Sequence, residues 1–158
     1  MTRCPECGAP AGPRSCQELF DAVLALDHSR RPPWGPLHGV TVACFLLQHP
    51  SRLPETARSG PWAMVHSYLD GGLAAVTRLT ERARNANSHR NRGARRAGTV
   101  PGVPAPPLTA PPTAFDVTIA DVAGDGTFPA DGFPERVTDW ARAIIDAWRS
   151  EKEFGHGD

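Results

Sequence analysis

Long hydrophobic runs are absent from this chain of 158 residues. No apolar stretch approaches the roughly 20 residues that a transmembrane helix needs to cross a bilayer. The first ten residues, MTRCPECGAP, also lack the apolar segment of a secretory signal peptide. We therefore expect a cytoplasmic protein with no membrane partner, in a compartment that keeps thiols reduced.

Cysteine is scarce, but three of the four cysteines lie within the first 16 residues. In a reducing compartment this arrangement indicates a metal ion or buried thiols rather than disulfides. Cys4 and Cys7 stand at the C-x-x-C spacing, at which a tight turn brings two thiolates to one ion, and Gly8 permits the positive φ of such a turn. Cys16 adds a third thiolate at a helix start, where the pKa of a thiol is lowered. The sequence therefore predicts a structural site for Zn²⁺.

Internal repeats are also absent, and helical periodicity dominates the hydrophobic pattern. Apolar stripes and stop signals at proline and glycine predict helices at 17–28, 38–48, 61–69, 73–85 and 134–152. The alternation of Phe115, Val117 and Ile119 predicts a short strand. The expected fold class is mainly α, a small helical domain of four or five helices with an N-terminal zinc knuckle.

Large hydrophobic residues nearly disappear from residues 86–113, which are first basic and then rich in proline. Such a composition cannot offset the entropy of ordering, so we expect a disordered loop. The predicted organisation is a knuckle at 1–16, a helical domain at 17–85, the loop at 86–113, and an extended segment with a C-terminal helix at 114–152 on the same domain.

A fourth ligand would complete the predicted zinc site, and the candidates are His28, His38, Cys44 and His49. If the first two helices form an antiparallel hairpin, the end of the second returns to the start of the first. Each helix is roughly 16 Å long at 1.5 Å per residue, so one ion cannot reach both ends. His49 would then lie beside Cys16, with His28 and His38 at the far end. We favour His49, and the other three residues remain alternatives. Two further alternatives are a site without a fourth protein ligand and a metal-free terminus with reduced cysteines.

Polar residues at the far end of the hairpin, Asp27, His28 and His38, form a second candidate group. A carboxylate beside an imidazole orients the ring and raises its basicity, which general acid–base catalysis uses. Two imidazoles and a carboxylate could also hold a second ion. The simpler interpretation is a set of polar residues at helix ends, where His28 meets the negative end of the helix dipole.

Four segments of the chain resemble a bacterial protein family of unknown function: CPECGA, SCQELFDAVLALDH, HGVTVACFLLQHP and VTDWARAIIDAW. The resemblance covers most of the chain that we expect to be ordered, and it implies no activity. It draws attention to the cysteines at 4, 7 and 16 and to His38, Gln48 and His49. The basic and proline-rich loop resembles an insertion peculiar to this chain.

No catalytic motif is recognisable, so the sequence predicts a zinc-stabilised helical module that binds or regulates a protein or small-molecule partner. One alternative is a small metal-dependent enzyme that uses His38 with Asp27 and His28. A second is nucleic-acid binding to phosphates through the arginine tract that begins at Arg82 and ends at Arg96. That tract lacks the interleaved aromatic residues and the recognition fold of nucleic-acid binders, which favours a solvated loop.

Overall fold

The computed structural model describes residues 2–86, Pro106 and 110–154. Within these residues the chain forms five α-helices and no β-strand, which confirms the predicted mainly α fold class. The helices are α1 (Cys16–His28), α2 (His38–Gln48), α3 (Ser59–Ala86), α4 (Ile119–Ala123) and α5 (Phe133–Phe154). Three short 3₁₀ turns, Gly35–Leu37, Pro50–Arg52 and Glu55–Ala57, lie in the loops on either side of α2.

Helix α1 begins at a capping box. The hydroxyl of Ser15 accepts a hydrogen bond from the backbone N–H of Glu18 at 3.1 Å. The carboxylate of Glu18 accepts one from the backbone N–H of Ser15 at 3.2 Å. This reciprocal pair satisfies N–H groups that the first turn would otherwise leave free, and it makes Cys16 the first residue of the helix.

Helix α3 breaks at Gly72, whose φ of 66° and ψ of −158° lie outside the helical region. The break separates the two helices that the sequence predicts at 61–69 and 73–85. The first half is the more deeply buried one and contributes Trp62 and Val65 to the core. In the second half Val76 is buried, whereas Leu73 is 41% exposed.

The strand predicted at 115–119 is wrong, because within the described residues this segment pairs with no strand and leads instead into α4. Thr118 and Asp121 form a second capping box, in which the backbone N–H of Thr118 donates to the Asp121 carboxylate at 2.8 Å. Gly124, at a φ of 63°, ends this helix after five residues. The alternating side chains of Phe115 and Val117 pack against the core without a pleated neighbour.

The core lies between α2, α3 and α5 and is crossed by a buried polar bridge at Gln48. The indole N–H of Trp140 donates to the Gln48 side-chain oxygen at 2.8 Å, and the Gln48 amide donates to the carbonyl of Val117 at 2.8 Å. The indole N–H of Trp148 donates to the carbonyl of Leu47 at 3.2 Å. The end of α2 is therefore fixed to both α5 and the segment before α4 by bonds that satisfy buried polar groups.

The predicted loop at 86–113 lies outside the described residues, apart from its two ends and Pro106. Of the arginine tract, Arg82 and Arg84 are exposed on α3, and the remaining arginines also lie outside the described residues. The division of the chain into four segments stays a prediction. Among the helices that the structure describes, none has the length and apolar character to cross a membrane.

Candidate metal centre

The first part of the centre is a tight turn that contains Cys4 and Cys7. The backbone N–H of Cys4 donates to the carbonyl of Ala9 at 2.9 Å, and the N–H of Gly8 donates to the carbonyl of Cys4 at 2.9 Å. Gly8 has a φ of 79°, a conformation that L side chains rarely adopt. These bonds close the segment into a knuckle and direct both thiols to one side.

Cys16 reaches the knuckle from the first residue of α1. Its Sγ lies 3.7 Å from the Sγ of Cys7, far beyond the length of a disulfide bond, and all four cysteines are free thiols. The capping box that starts α1 therefore also determines where the third thiol enters the group.

His49 reaches the group from the residue that follows α2. Its Nδ1 lies 2.8 Å from the carbonyl oxygen of Phe45, and its Nε2 lies 3.8 Å from the Sγ of Cys4. Because a carbonyl oxygen can only accept, Nδ1 is the protonated nitrogen, and Nε2 presents its lone pair to the thiols. The ring also stacks on Phe45 with centroids 4.1 Å apart, which holds its orientation.

The four ligand atoms, three Sγ atoms and one imidazole nitrogen, all lie within 4.8 Å of one another, so Cys4, Cys7, Cys16 and His49 could hold a metal ion. With Zn–S bonds of about 2.3 Å and tetrahedral angles, two sulfurs on one zinc lie about 3.8 Å apart. The separation of 3.7 Å between Cys7 and Cys16 agrees with this value. The residues present therefore fit a tetrahedral ion with thiolate and imidazole ligands.

The electrostatics of the group keep Cys7 protonated when no cation is bound. Its hydrogen bond with Cys16, followed by burial, raises the pKa of the Cys7 thiol to about 12. Burial acts to lower the pKa of His49, but hydrogen bonds with Cys7 and the Phe45 carbonyl outweigh burial and raise it. A divalent cation supplies the positive charge that stabilises thiolates, so metal binding and deprotonation of the cysteines are coupled.

The knuckle is attached to the 3₁₀ turn that follows α2 by a contact outside the group. A carboxylate oxygen of Glu6, between the two knuckle cysteines, accepts a hydrogen bond from the backbone N–H of Ser51 at 2.9 Å. Beside the group is a cavity of about 690 Å³, lined among others by Cys4, Cys16, Arg14 and Asp125. The two half-buried cysteines face this cavity, whereas Cys7 and His49 are buried.

The other candidate ligands lie outside this group. Cys44 is fully buried in the core, and burial raises the pKa of its thiol well above the usual range. His38 bonds to Asp27 at the other ends of α1 and α2, with Nδ1 3.1 Å from a carboxylate oxygen. His28 is exposed and is not brought to this pair. Within residues 2–86 and 110–154, the sole cluster of three or more such ligands is the Cys₃His group.

Family comparison agrees with the resemblance that the sequence segments show. The chain belongs to the family of unknown function DUF5946, whose model matches residues 2–149. No curated protein and no solved structure matches the chain. Membership of this family brings no activity, so the indications of function are those of the site itself.

Proposed function

We propose that this protein is a zinc-stabilised helical module with a binding or regulatory role, and that Cys4, Cys7, Cys16 and His49 are its zinc ligands. The observation that supports this most directly is the convergence of four ligand atoms within 4.8 Å from three separate segments of the chain. Since the segments come from the knuckle, the start of α1 and the end of α2, one ion ties all three together.

The donor set favours zinc over other common ions. Three thiolates and one imidazole form a ligand combination that structural zinc sites use, whereas magnesium and calcium prefer oxygen ligands. The Nδ1–H of His49 bonds to a backbone carbonyl, which is the partner that metal-ligating histidines commonly have on their second nitrogen. The imidazole is therefore oriented for the ion in advance.

Four protein ligands also favour a structural role. Catalytic zinc sites keep one position open for water or substrate, and a Cys₃His set fills all four tetrahedral positions. The knuckle places few apolar side chains in the core, among them Cys7 and Ala9, so the ion would be its main anchor. The neighbouring cavity of about 690 Å³ has the size of a small-molecule site and offers a place for a partner.

The test compares two pairs of variants that change one candidate ligand and one matched residue. His49→Ala is paired with His38→Ala, and Cys16→Ala is paired with Cys44→Ala. The proteins are purified without chelator, and zinc is measured by inductively coupled plasma mass spectrometry. We expect about one zinc per chain in the wild type and in the His38 and Cys44 variants, because a structural Cys₃His site holds one ion. The His49 and Cys16 variants should lose most of it.

Two results would overturn the proposal. The first is a wild-type protein that folds fully without metal and does not take up zinc when it is offered. The second is the reverse pattern, in which His38→Ala loses zinc and His49→Ala retains it, since His38 would then belong to the ligand set.

A further inference from the structure

A buried carboxylate is bonded to an exposed histidine at the ends of α1 and α2 remote from the metal centre. We propose that Asp27 and His38 form a second site, which transfers protons on a small anionic substrate. In this site Nε2 of His38 accepts the proton, and Asp27 is the residue that positions the ring. The inference is independent of the zinc ligands, because neither residue belongs to the Cys₃His group.

The geometry leaves one ring nitrogen of His38 available. The Asp27 side chain is 1% exposed and the His38 side chain is 56% exposed, with Oδ2 and Nδ1 3.1 Å apart. An ionised carboxylate can only accept a hydrogen bond, so Nδ1 must carry the hydrogen in the neutral ring. The lone pair is therefore on Nε2, on the other side of a ring that is more than half exposed to solvent.

Stability does not explain the carboxylate of Asp27. Its second oxygen, Oδ1, is buried and has no hydrogen-bond partner in the described structure. Burying a charged group without full pairing lowers stability, and an ion pair with a solvent-exposed partner returns little. A carboxylate that destabilises the fold while orienting an accessible imidazole is typical of a functional pair.

The loop between α1 and α2 holds the two residues in fixed positions. A Cβ on Gly35 would lie 2.7 Å from the Cα of Arg30, so this close contact between two parts of the loop leaves no room for a side chain at position 35. Arg30 itself has a positive φ of 60°, a conformation that non-glycine residues adopt at a cost and that is often found at functional sites. The indole N–H of Trp34 donates to the carbonyl of Phe128 at 2.9 Å, which fastens the loop to the segment before α5.

The surroundings favour a substrate with negative charge. Arg30 and Arg31 are exposed in the loop, and the sequence contains no aspartate or glutamate between His28 and Pro54. His38 is the first residue of α2, so it lies near the positive end of the helix dipole. Because the Asp27 carboxylate is buried against His38, its negative charge does not face an approaching anion.

Two 4-nitrophenyl esters serve as probes, the neutral benzoate and the anionic terephthalate monoester, whose para carboxylate cannot reach its own ester carbonyl. Water adds through its oxygen to the ester carbonyl, and one of its protons passes to Nε2 of His38. The C–O bond to the leaving group breaks with its electron pair, which releases 4-nitrophenolate and the carboxylic acid product. His38 then returns the proton to solvent, so the ring is regenerated and water is the only co-reactant.

The first experiment measures release of 4-nitrophenolate by the zinc-loaded, full-length protein. We expect His38→Gln to lower the rate of ester hydrolysis about tenfold. A general base contributes roughly 10²–10⁴-fold with its own substrate, and the effect should be smaller here because the site does not hold the probe esters in a fixed orientation. His28→Gln is the matched control and should react like the wild type, because this exposed histidine has no carboxylate partner among the residues that the structure describes. For each ester, the rate with the protein is divided by the rate with free imidazole, and this ratio should be larger for the anionic ester than for the neutral one. Equal effects of the two histidine variants would overturn the site, and no preference for the anionic ester would overturn the substrate class.

The second experiment reads the protonated nitrogen of His38 from long-range ¹H–¹⁵N NMR spectra above the pKa of the ring. The wild type should carry the hydrogen on Nδ1, and Asp27→Leu should lose this preference and also the ester reactivity, with unchanged zinc content. Leucine branches at the same carbon as aspartate and removes a buried charge with an unpaired oxygen, so the melting temperature should not fall. A wild-type ring protonated on Nε2 would overturn the proposal without any variant, and so would an Asp27→Leu protein with full reactivity.

Discussion

At the scale of single residues, the knuckle depends on one glycine. Gly8 has a φ of 79°, and a Cβ at this position would lie 3.2 Å from the carbonyl oxygen of Thr113. Gly8→Ala should therefore lower the free energy of unfolding by about 1–2 kcal/mol, the cost of a left-handed conformation for an L residue. Because the proposed metal-bound state requires this turn, the strain should raise the Kd for zinc about tenfold. Competition with a chromophoric chelator measures the affinity, and urea unfolding measures the stability.

Gly12→Ala is the matched control for this change. Gly12 lies in the same N-terminal segment, and a Cβ there would meet no atom within 4 Å. Its substitution should leave zinc affinity unchanged and should not lower stability. A Gly8→Ala protein that binds zinc as tightly as the Gly12→Ala protein would show that the knuckle tolerates a side chain at this position.

The Asp27–His38 pair is only partly predictable from the sequence. An antiparallel hairpin of α1 and α2 puts Asp27, His28 and His38 at one end, and the structure brings the first and the third together. His28 is exposed because successive residues of a helix point about 100° apart, so the buried direction of Asp27 turns the next side chain outward. Burial of the carboxylate itself follows from tertiary packing, which periodicity alone does not show.

At the scale of helices, α3 contains a break at Gly72 that should depend on glycine at this position. Its φ of 66° and ψ of −158° belong to a region that is essentially restricted to glycine. Gly72→Ala should lower the free energy of unfolding by about 1–3 kcal/mol, because the chain must either accept the strain or reorient one half of the helix. Urea unfolding followed by circular dichroism measures this difference.

Gly60→Ala is the control within the same helix. Gly60 lies in the first turn of α3, its φ is not positive, and a Cβ there would meet no atom within 4 Å. Alanine at such a site should raise stability by about 0.4–1 kcal/mol, since it restricts the unfolded chain. If both variants are stabilised, the break at Gly72 is not held in place by the fold.

Helices α1 and α2 are predictable from the sequence, whereas the segment at 115–119 is mispredicted as a strand. The predicted α2, at 38–48, matches its observed bounds, and α1 differs from its prediction by one residue, since both helices have clear apolar stripes and stop signals. The segment at 115–119 alternates like a strand, but the pair Thr118 and Asp121 is a capping-box signal that marks the start of α4. The capping-box residues of this segment are therefore the stronger signal, and the alternation of apolar residues is the weaker one.

At the scale of the molecule, the candidate metal centre consists of side chains from segments that lie far apart in the sequence. An antiparallel hairpin of two helices of similar length puts His49 beside Cys16, so helix lengths alone predict this proximity. The bond between Glu6 and Ser51, and the bridge from Gln48 to Trp140 and Val117, depend on packing between distant segments. No local pattern specifies those pairs, so the sequence alone does not predict them.

If the proposed zinc ion is bound, the buried core and the candidate metal centre stabilise different parts of the chain. Trp62, Trp140 and Trp148 are buried among α2, α3 and α5, whereas the knuckle rests on the thiols and a few backbone bonds. Loss of the ion should therefore release the N-terminal segment before it unfolds the helices. This order of events follows from local differences in stability, which hydrogen exchange resolves residue by residue.

Removal of zinc by a chelator is expected to loosen one part of the molecule and leave the other folded. A ligand present at about a thousand times its Kd stabilises a protein by about 4 kcal/mol, so the melting temperature should fall by about 10 °C in a chain of this size. The amides of Cys4, Gly8 and Ser51, whose bonds hold the knuckle, should exchange much faster, while the amides of α2 and α5 stay protected. Restored zinc should reverse both changes. Uniform loss of protection would show that the helical core depends on the ion, and unchanged exchange at all three amides would show that the knuckle forms without it.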